Sequence, residues 1–235
     1  MANRVFRPDL IPEFVLQLLP YLGVTFLIVA GTMVFASIIG FLVARAKIGN
    51  GFTKYIANAY IAVFRCIPSI VLLFLVYYGL PQLCRILFHV DISFWSKSVF
   101  VILTFALLFG ANMGELMRAA YEAVDGGQTE AALSVGLTER QAFIRITFPQ
   151  AFRYALPNLA SVITGLMKEG ALAYTVGLID MMGKGKMIIS MNYGAYTMET
   201  YLALFIIYWV LTKTVEILFG LLDRQLSKGG KTLAE

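Results

Sequence analysis

The chain has 235 residues, of which 59% are hydrophobic and only 14% charged, whereas a water-soluble domain has roughly 45–50% and 25%. Water cannot solvate such a surface, so the composition excludes a soluble domain and makes a bilayer the solvent. The net charge of +5 needs no nucleic acid to explain it, because Lys and Arg accumulate in the cytoplasmic loops of membrane proteins. Cys66 and Cys84 are expected as free thiols, and with His89 as the one histidine they leave no ligand set for zinc or haem.

In chain order, Leu10, Ile11, Phe14, Val15, Leu18 and Leu19 recur at helical spacing opposite Asp9, Glu13 and Gln17. This pattern predicts a short helix lying on the membrane surface. Residues 21–44 carry no charge and end at Arg45 and Lys47. A bilayer core needs about 20 apolar residues in a helix, and the run is too long for a cleaved signal peptide, so it reads as a permanent first span. A second span is expected over 55–80, interrupted by Arg65 and Pro68, and then a loop with Arg85, His89, Asp91 and Lys97. The third span covers 98–121, and its second half carries Asn112, Glu115 and Arg118. A polar loop over 122–153 separates it from a fourth span at 154–178, which holds Lys168 and Glu169. A further loop with Asp180, Lys184, Lys186 and Glu199 leads to a fifth span at 200–222. The fold class is thus an all-α integral membrane protein of about five transmembrane helices, and the whole chain, 1–235, reads as one transmembrane domain.

Five spans place the termini on opposite sides. With the N-terminus outside, the inner segments hold Arg45, Lys47, Lys54, Arg140, Arg145, Arg153, Arg224, Lys228 and Lys231. The outer ones hold the shorter set Arg4, Arg7, Arg85, Lys97, Lys184 and Lys186. The bias predicts a cytoplasmic C-terminus and a cytoplasmic polar loop.

That loop has helix signals of its own. Residues 128–135 suit a short helix, which Gly136 would end in the left-handed conformation. Thr138 followed by Gln141 is a capping box that opens a second helix, and Pro149 is expected to stop it. Two short helices joined at a glycine make a compact elbow. Ala131 and Ala132 would give it a flat face of small side chains, flanked by Leu133, Leu137, Phe143, Ile144 and Ile146. Such residues either dock a partner or pack the elbow against the spans, and both readings stay open.

Glu130-Ala131-Ala132, then Gly136, then Ile146 and Pro149 resembles the cytoplasmic loop signature of permease subunits in bacterial ABC importers. Gly127-Gln128, Pro149-Gln150-Ala151, Arg153 and Leu156-Pro157 resemble the polar amino-acid uptake branch. So does the stretch 60–81, with Phe64-Arg65, Pro68 and an apolar run ending in Leu80-Pro81. Lys168-Glu169 stands where that branch has a lysine and an acidic residue. Gly170 and Ala171 depart from its small hydroxyl residues, and Asn112 and Gly114 from its tyrosine and alanine.

The resemblance implies a binding-protein-dependent type I importer in the bacterial cytoplasmic membrane. Two permease subunits, identical or homologous, would form the pore, and a dimer of cytoplasmic ATPase subunits would grip the elbows. An extracytoplasmic substrate-binding protein would deliver an amino acid. ATPase coupling would fall on Glu130, Ala131, Ala132, Gly136, Leu137 and Pro149. ATP and magnesium would be bound by the partner, since this chain has no GxxxxGK[ST] phosphate loop and no cofactor is expected in it. Nor is the chain expected to be an enzyme: no histidine cluster, nucleophile motif or paired carboxylates mark a catalytic centre.

Ionisable groups inside spans cost about 2.5–3.5 kcal/mol each on insertion scales, so each should meet a partner, a cavity or a pathway. Glu115 and Arg118, and likewise Lys213 and Glu216, have the spacing to pair on one helix face. Lys168 and Glu169 are adjacent, point about 100° apart and need separate partners. With Arg65, Asn112 and Glu115 they are the candidates for the substrate pathway, the alternative being that they brace neighbouring spans.

Overall fold

A computed structural model describes residues 6–49 and 51–228, and Arg4 and Lys231 of the charge bias lie outside the described residues. Among those residues every regular element is helical. Four stretches are long and apolar enough to cross a bilayer: Pro8–Ile48, Ser69–Phe88, Lys97–Glu122 and Thr197–Leu226. Glu139–Val176 and Met181–Met191, bent by 50° at a short break, make a fifth if taken together.

The helices are α1 (Ile11–Leu18), α2 (Leu22–Ile48), α3 (Phe52–Cys66), α4 (Ser69–Phe74), α5 (Leu80–Phe88), α6 (Lys97–Glu122), α7 (Gly126–Ser134), α8 (Glu139–Ala142), α9 (Phe148–Gly170), α10 (Met181–Met191) and α11 (Thr197–Lys228). Three expectations change. The span expected at 55–80 is broken, since α3 stops at Cys66 and Pro68 adopts an extended ψ of 133° ahead of α4. Proline disfavours helical geometry at the preceding residue and lacks an N–H, so the apolar crossing runs through 69–88 instead. Pro149 does not stop the second elbow helix. A π turn over Phe143–Thr147 precedes α9, and the Phe148 amide reaches back to the Phe143 carbonyl. Pro149 therefore lies just past a π turn in an unbroken helical run, at the kind of local irregularity that accommodates a proline within a helix. The segment expected as a loop around Lys184 and Lys186 is helix α10, started by Asp180, whose carboxylate accepts from the Gly183 amide at 2.8 Å.

The chain packs as two compact units. The first comprises the described residues up to Phe35, Ile67–Ala106 and Thr164–Thr214. Its core joins Phe14 and Leu18 of α1 to Met181 and Ile188 of α10 and to Ala203, Leu204 and Ile207 of α11. The apolar stripe of α1, expected to meet lipid, thus meets protein. Gly185 lets α10 close on α11, because a Cβ there would stand 2.7 Å from Leu204.

The second unit comprises Ala36–Cys66, Leu107–Ile163 and the described residues from Val215. Here α2 and α6 touch through glycines: a Cβ on Gly40 would lie 2.6 Å from Met113 Cβ, and one on Gly114 2.7 Å from Val43. Without a hydrophobic driving force between helices in lipid, such backbone proximity is what holds spans together. The Tyr60 hydroxyl of α3 donates to the Leu107 carbonyl of α6.

Candidate functional site

The elbow is built by local chemistry. Asp125 caps α7, accepting from the Gly127 amide at 2.9 Å. The helix ends in a Schellman motif, with the Gly136 amide on the Leu133 carbonyl at 3.0 Å and the Leu137 amide on the Ala132 carbonyl at 3.1 Å. Gly136 has φ +87° and open space where a Cβ would go, so backbone conformation alone demands glycine there. Thr138 and Gln141 form the complete capping box ahead of α8. The hydroxyls of Thr129 on α7 and Thr147 in the π turn lie 3.1 Å apart and tie the two arms together.

Burial sorts the predicted coupling residues. Glu130, Ala131, Gly136 and Pro149 are exposed, and Leu137 is half-buried. Ala132 is only 6% exposed, so it packs the elbow inward, and the small-residue face reduces to Ala131. Val135, 79% exposed, and Ile144 stand out to solvent beside it. The rings of Tyr121, Phe143, Phe148 and Phe152 follow one another at 6.1–6.4 Å, linking the elbow to the end of α6 and the start of α9. Ala132 thus packs the elbow inward, while Glu130, Ala131, Val135 and Ile144 stay exposed.

The pathway candidates fall in both units. Arg65, exposed at the end of α3, Asn112, half-buried in α6, and Glu115 belong to the second unit, while Lys168 and Glu169 belong to the first. Glu115 is bound on one oxygen by Lys47 of α2 and on the other by Arg118 at 2.9 Å, and Arg118 also pairs with Glu122. This is a closed charge network joining α2 to α6. The expected pairing of Glu115 with Arg118 is present. In the sequence Lys47 marks only the flank of the first span, and nothing in the spacing links residues so far apart. In the first unit, Glu169 accepts a hydrogen bond from the Ser69 hydroxyl of α4, whereas Lys168 is exposed. Lys97 donates to the Gly177 carbonyl at 3.0 Å and stands where a Gly177 side chain would be.

Sequence reasoning missed two buried carboxylates of the first unit. Asp180 and Glu199 are buried, and Glu199 accepts from the Arg7 amide at 2.8 Å. Beside them an open recess of ≈ 380 Å³ is lined by Arg7, Glu13, Gln17, Lys184 and Asn192 over an apolar floor. Asp180 was legible as a helix N-cap. Long-range contacts such as the one from Arg7 to Glu199 were not.

Helical spans, a two-helix elbow and charges set inside the spans define a polytopic transport subunit. Residues 36–228 match the family model described as the binding-protein-dependent transport system inner membrane component. A probable amino-acid permease protein, YxeN of Bacillus subtilis, is 40% identical over 225 residues, covering 94% of this chain and 97% of that one. The L-cystine transport system permease protein TcyL of the same organism is 34% identical, covering 96% and 94%. The crystal structure of an amino acid ABC transporter is 32% identical with a TM-score of 0.73, covering 91% and 94%. The inward-facing methionine transporter MetNI, at 18% identity, TM-score 0.65 and coverage of 92% and 96%, shares the fold. The chain belongs to the family of inner-membrane components of binding-protein-dependent transport systems. It is a membrane-spanning permease subunit and not itself an enzyme, and the resemblance read from the polar loop and its flanks is met by this match.

Proposed function

We propose that this chain forms the translocation pathway of an ATP-driven amino-acid importer and that the elbow, Glu130 to Pro149, couples it to cytoplasmic ATPase subunits. The observation that carries the coupling is the elbow's construction. Caps at Asp125 and Thr138 and the Schellman turn at Gly136 make it rigid, and Glu130, Ala131, Val135 and Ile144 are presented outward. A rigid, mixed polar and apolar projection suits docking in a groove and transmits force, as a flexible loop would not. The ATPase dimer binds ATP and magnesium. A second permease copy, identical or homologous, completes the pore, and an external binding protein supplies the substrate.

The amino-acid assignment draws on relatives named as amino-acid and L-cystine permeases. It also draws on the first unit, where Lys168 and Glu169 offer charges of both signs as a zwitterion requires. The N-terminus lies outside and the C-terminus and elbow inside, in keeping with the Lys and Arg bias.

The test is reconstitution with and without the ATPase subunit, with the binding protein present. Uptake is expected only with the ATPase and ATP, and uptake at full rate without it overturns the proposal. A single cysteine at Val135, in a chain whose Cys66 and Cys84 are replaced, is expected to react with an impermeant thiol reagent only from the cytoplasmic side.

A further inference from the structure

The first unit holds two exposed ion pairs, Arg7–Asp9 and Arg85–Asp91, but several of its other charges meet neutral groups. Glu169, Asp180 and Glu199 accept from uncharged donors, namely the Ser69 hydroxyl and the amides of Gly183 and Arg7. Three lysines meet uncharged groups in turn. Lys97 donates to a carbonyl, Lys184 lies over the Tyr21 ring at 5.4 Å, and Lys186 lies 5.7 Å from the centroid of Tyr174 and 5.4 Å from that of Tyr201. In the second unit Lys47, Glu115, Arg118 and Glu122 neutralise one another. In a membrane protein an ionised side chain is costly unless it is compensated or serves a pathway.

Lys186 is the most constrained of these cations. Its backbone is fixed, because α10 is capped by Asp180 and Gly185 sits against Leu204. The rings around it come from elsewhere: Tyr174 from the 3-10 segment Ala171–Val176 and Tyr201 from α11. Ring faces attract an ammonium but leave most of its N–H donors unspent. Lys186 forms no salt bridge among the described residues. Lys184 differs in sharing its recess with Glu13.

We infer that Lys186, held by Tyr174 and Tyr201, is a receptor for the carboxylate of the transported amino acid. The inference rests on the amino-acid reading above. Tyr174 lies five residues beyond Glu169, roughly 8–10 Å along a continuous helical segment. The site therefore extends the segment that carries Lys168 and Glu169 and supplies an anion partner already oriented before substrate arrives.

The experiment uses the complete transporter in proteoliposomes with its ATPase and binding protein. A panel of labelled L-amino acids including L-cystine is screened, and the best-transported one serves as probe. Lys186→Gln is expected to raise the apparent KM roughly 10–100-fold, the loss of one charge-assisted hydrogen bond, with Lys186→Arg restoring part of the affinity. The decarboxylated amine of the probe should compete weakly with wild type, and its disadvantage against the parent amino acid should shrink in Lys186→Gln. An unchanged KM in Lys186→Gln, or an equal disadvantage in both proteins, overturns the inference. If Lys186→Gln does not assemble, the same competition in Tyr201→Leu, which removes one of the rings holding Lys186, decides it by the same criterion. Wild type that takes up no member of the panel with ATP counts against the amino-acid reading itself, and with it this inference. Normal wild-type uptake with an indifferent Lys186→Gln overturns the inference alone.

Discussion

Lys47, in the last turn of α2, and Glu115, near the end of α6, form an ion pair within the second unit, and Arg118 binds the other oxygen of the same carboxylate. Each side chain is only 20–25% exposed. Removing the shared carboxylate strands Lys47 and leaves Arg118 with Glu122 alone, whereas removing Lys47 leaves Glu115 with Arg118. Glu115→Gln is therefore expected to destabilise the protein by about 2 kcal/mol and Lys47→Met by about 1 kcal/mol, between the ranges for exposed and buried pairs. Thermal unfolding in detergent of both variants and the double variant gives the coupling energy, and additive losses would show that the pair contributes nothing.

At the bend of the elbow, Gly136 needs a positive φ but has room for a side chain. Gly136→Ala should cost about 1–2 kcal/mol of local conformational energy and misdirect α8 against α7. The expected readout is weakened ATPase association and reduced ATP-driven uptake, with membrane insertion intact. Gly136→Asn, which tolerates the left-handed region better, should fall between Ala and wild type, and Ala and Asn behaving alike would contradict this account.

Close approach of α2 and α6 gives a prediction of a different kind. A Cβ at Gly40 would overlap Met113 Cβ and approach the Gly114 backbone at 3.0 Å, atoms that cannot swing aside. Gly40→Ala should destabilise by about 1–3 kcal/mol through overpacking, measurable as a lowered unfolding temperature. Gly23→Ala, in the same helix with open space around it, should be neutral or slightly stabilising.

Between α5 and α6, Asp91 lies outside the spans. Hydrogen bonds from Ser93 and the Arg85 guanidinium hold its carboxyl below the usual carboxylate range. Because the folded value is the lower one, its contribution is fully present above the ordinary carboxylate pKa and fades as pH falls through the depressed value. Hydrogen exchange of residues 89–96 should therefore quicken on acidification in wild type. In Asp91→Asn it should already be fast at neutral pH and nearly insensitive to acid.

Sequence alone determined the membrane class, about five helical spans, the elbow with its capping box and glycine turn, and the family resemblance. Each depends on composition, periodicity or contacts within a few residues, which spacing reports directly. It also marked Glu115 and Arg118 as a pair, because they are one helical turn apart. Tertiary structure decided which charges are satisfied and by whom: Lys47 on Glu115, Ser69 on Glu169, the Arg7 amide on Glu199, and tyrosine rings around Lys186. It also turned Ala132 inward, moved the second crossing beyond Pro68, and made a helix of the segment after Asp180. Those outcomes depend on groups distant in the chain meeting at helix contacts, where glycine positions set how near two backbones come, and no local pattern encodes which residues will then face each other.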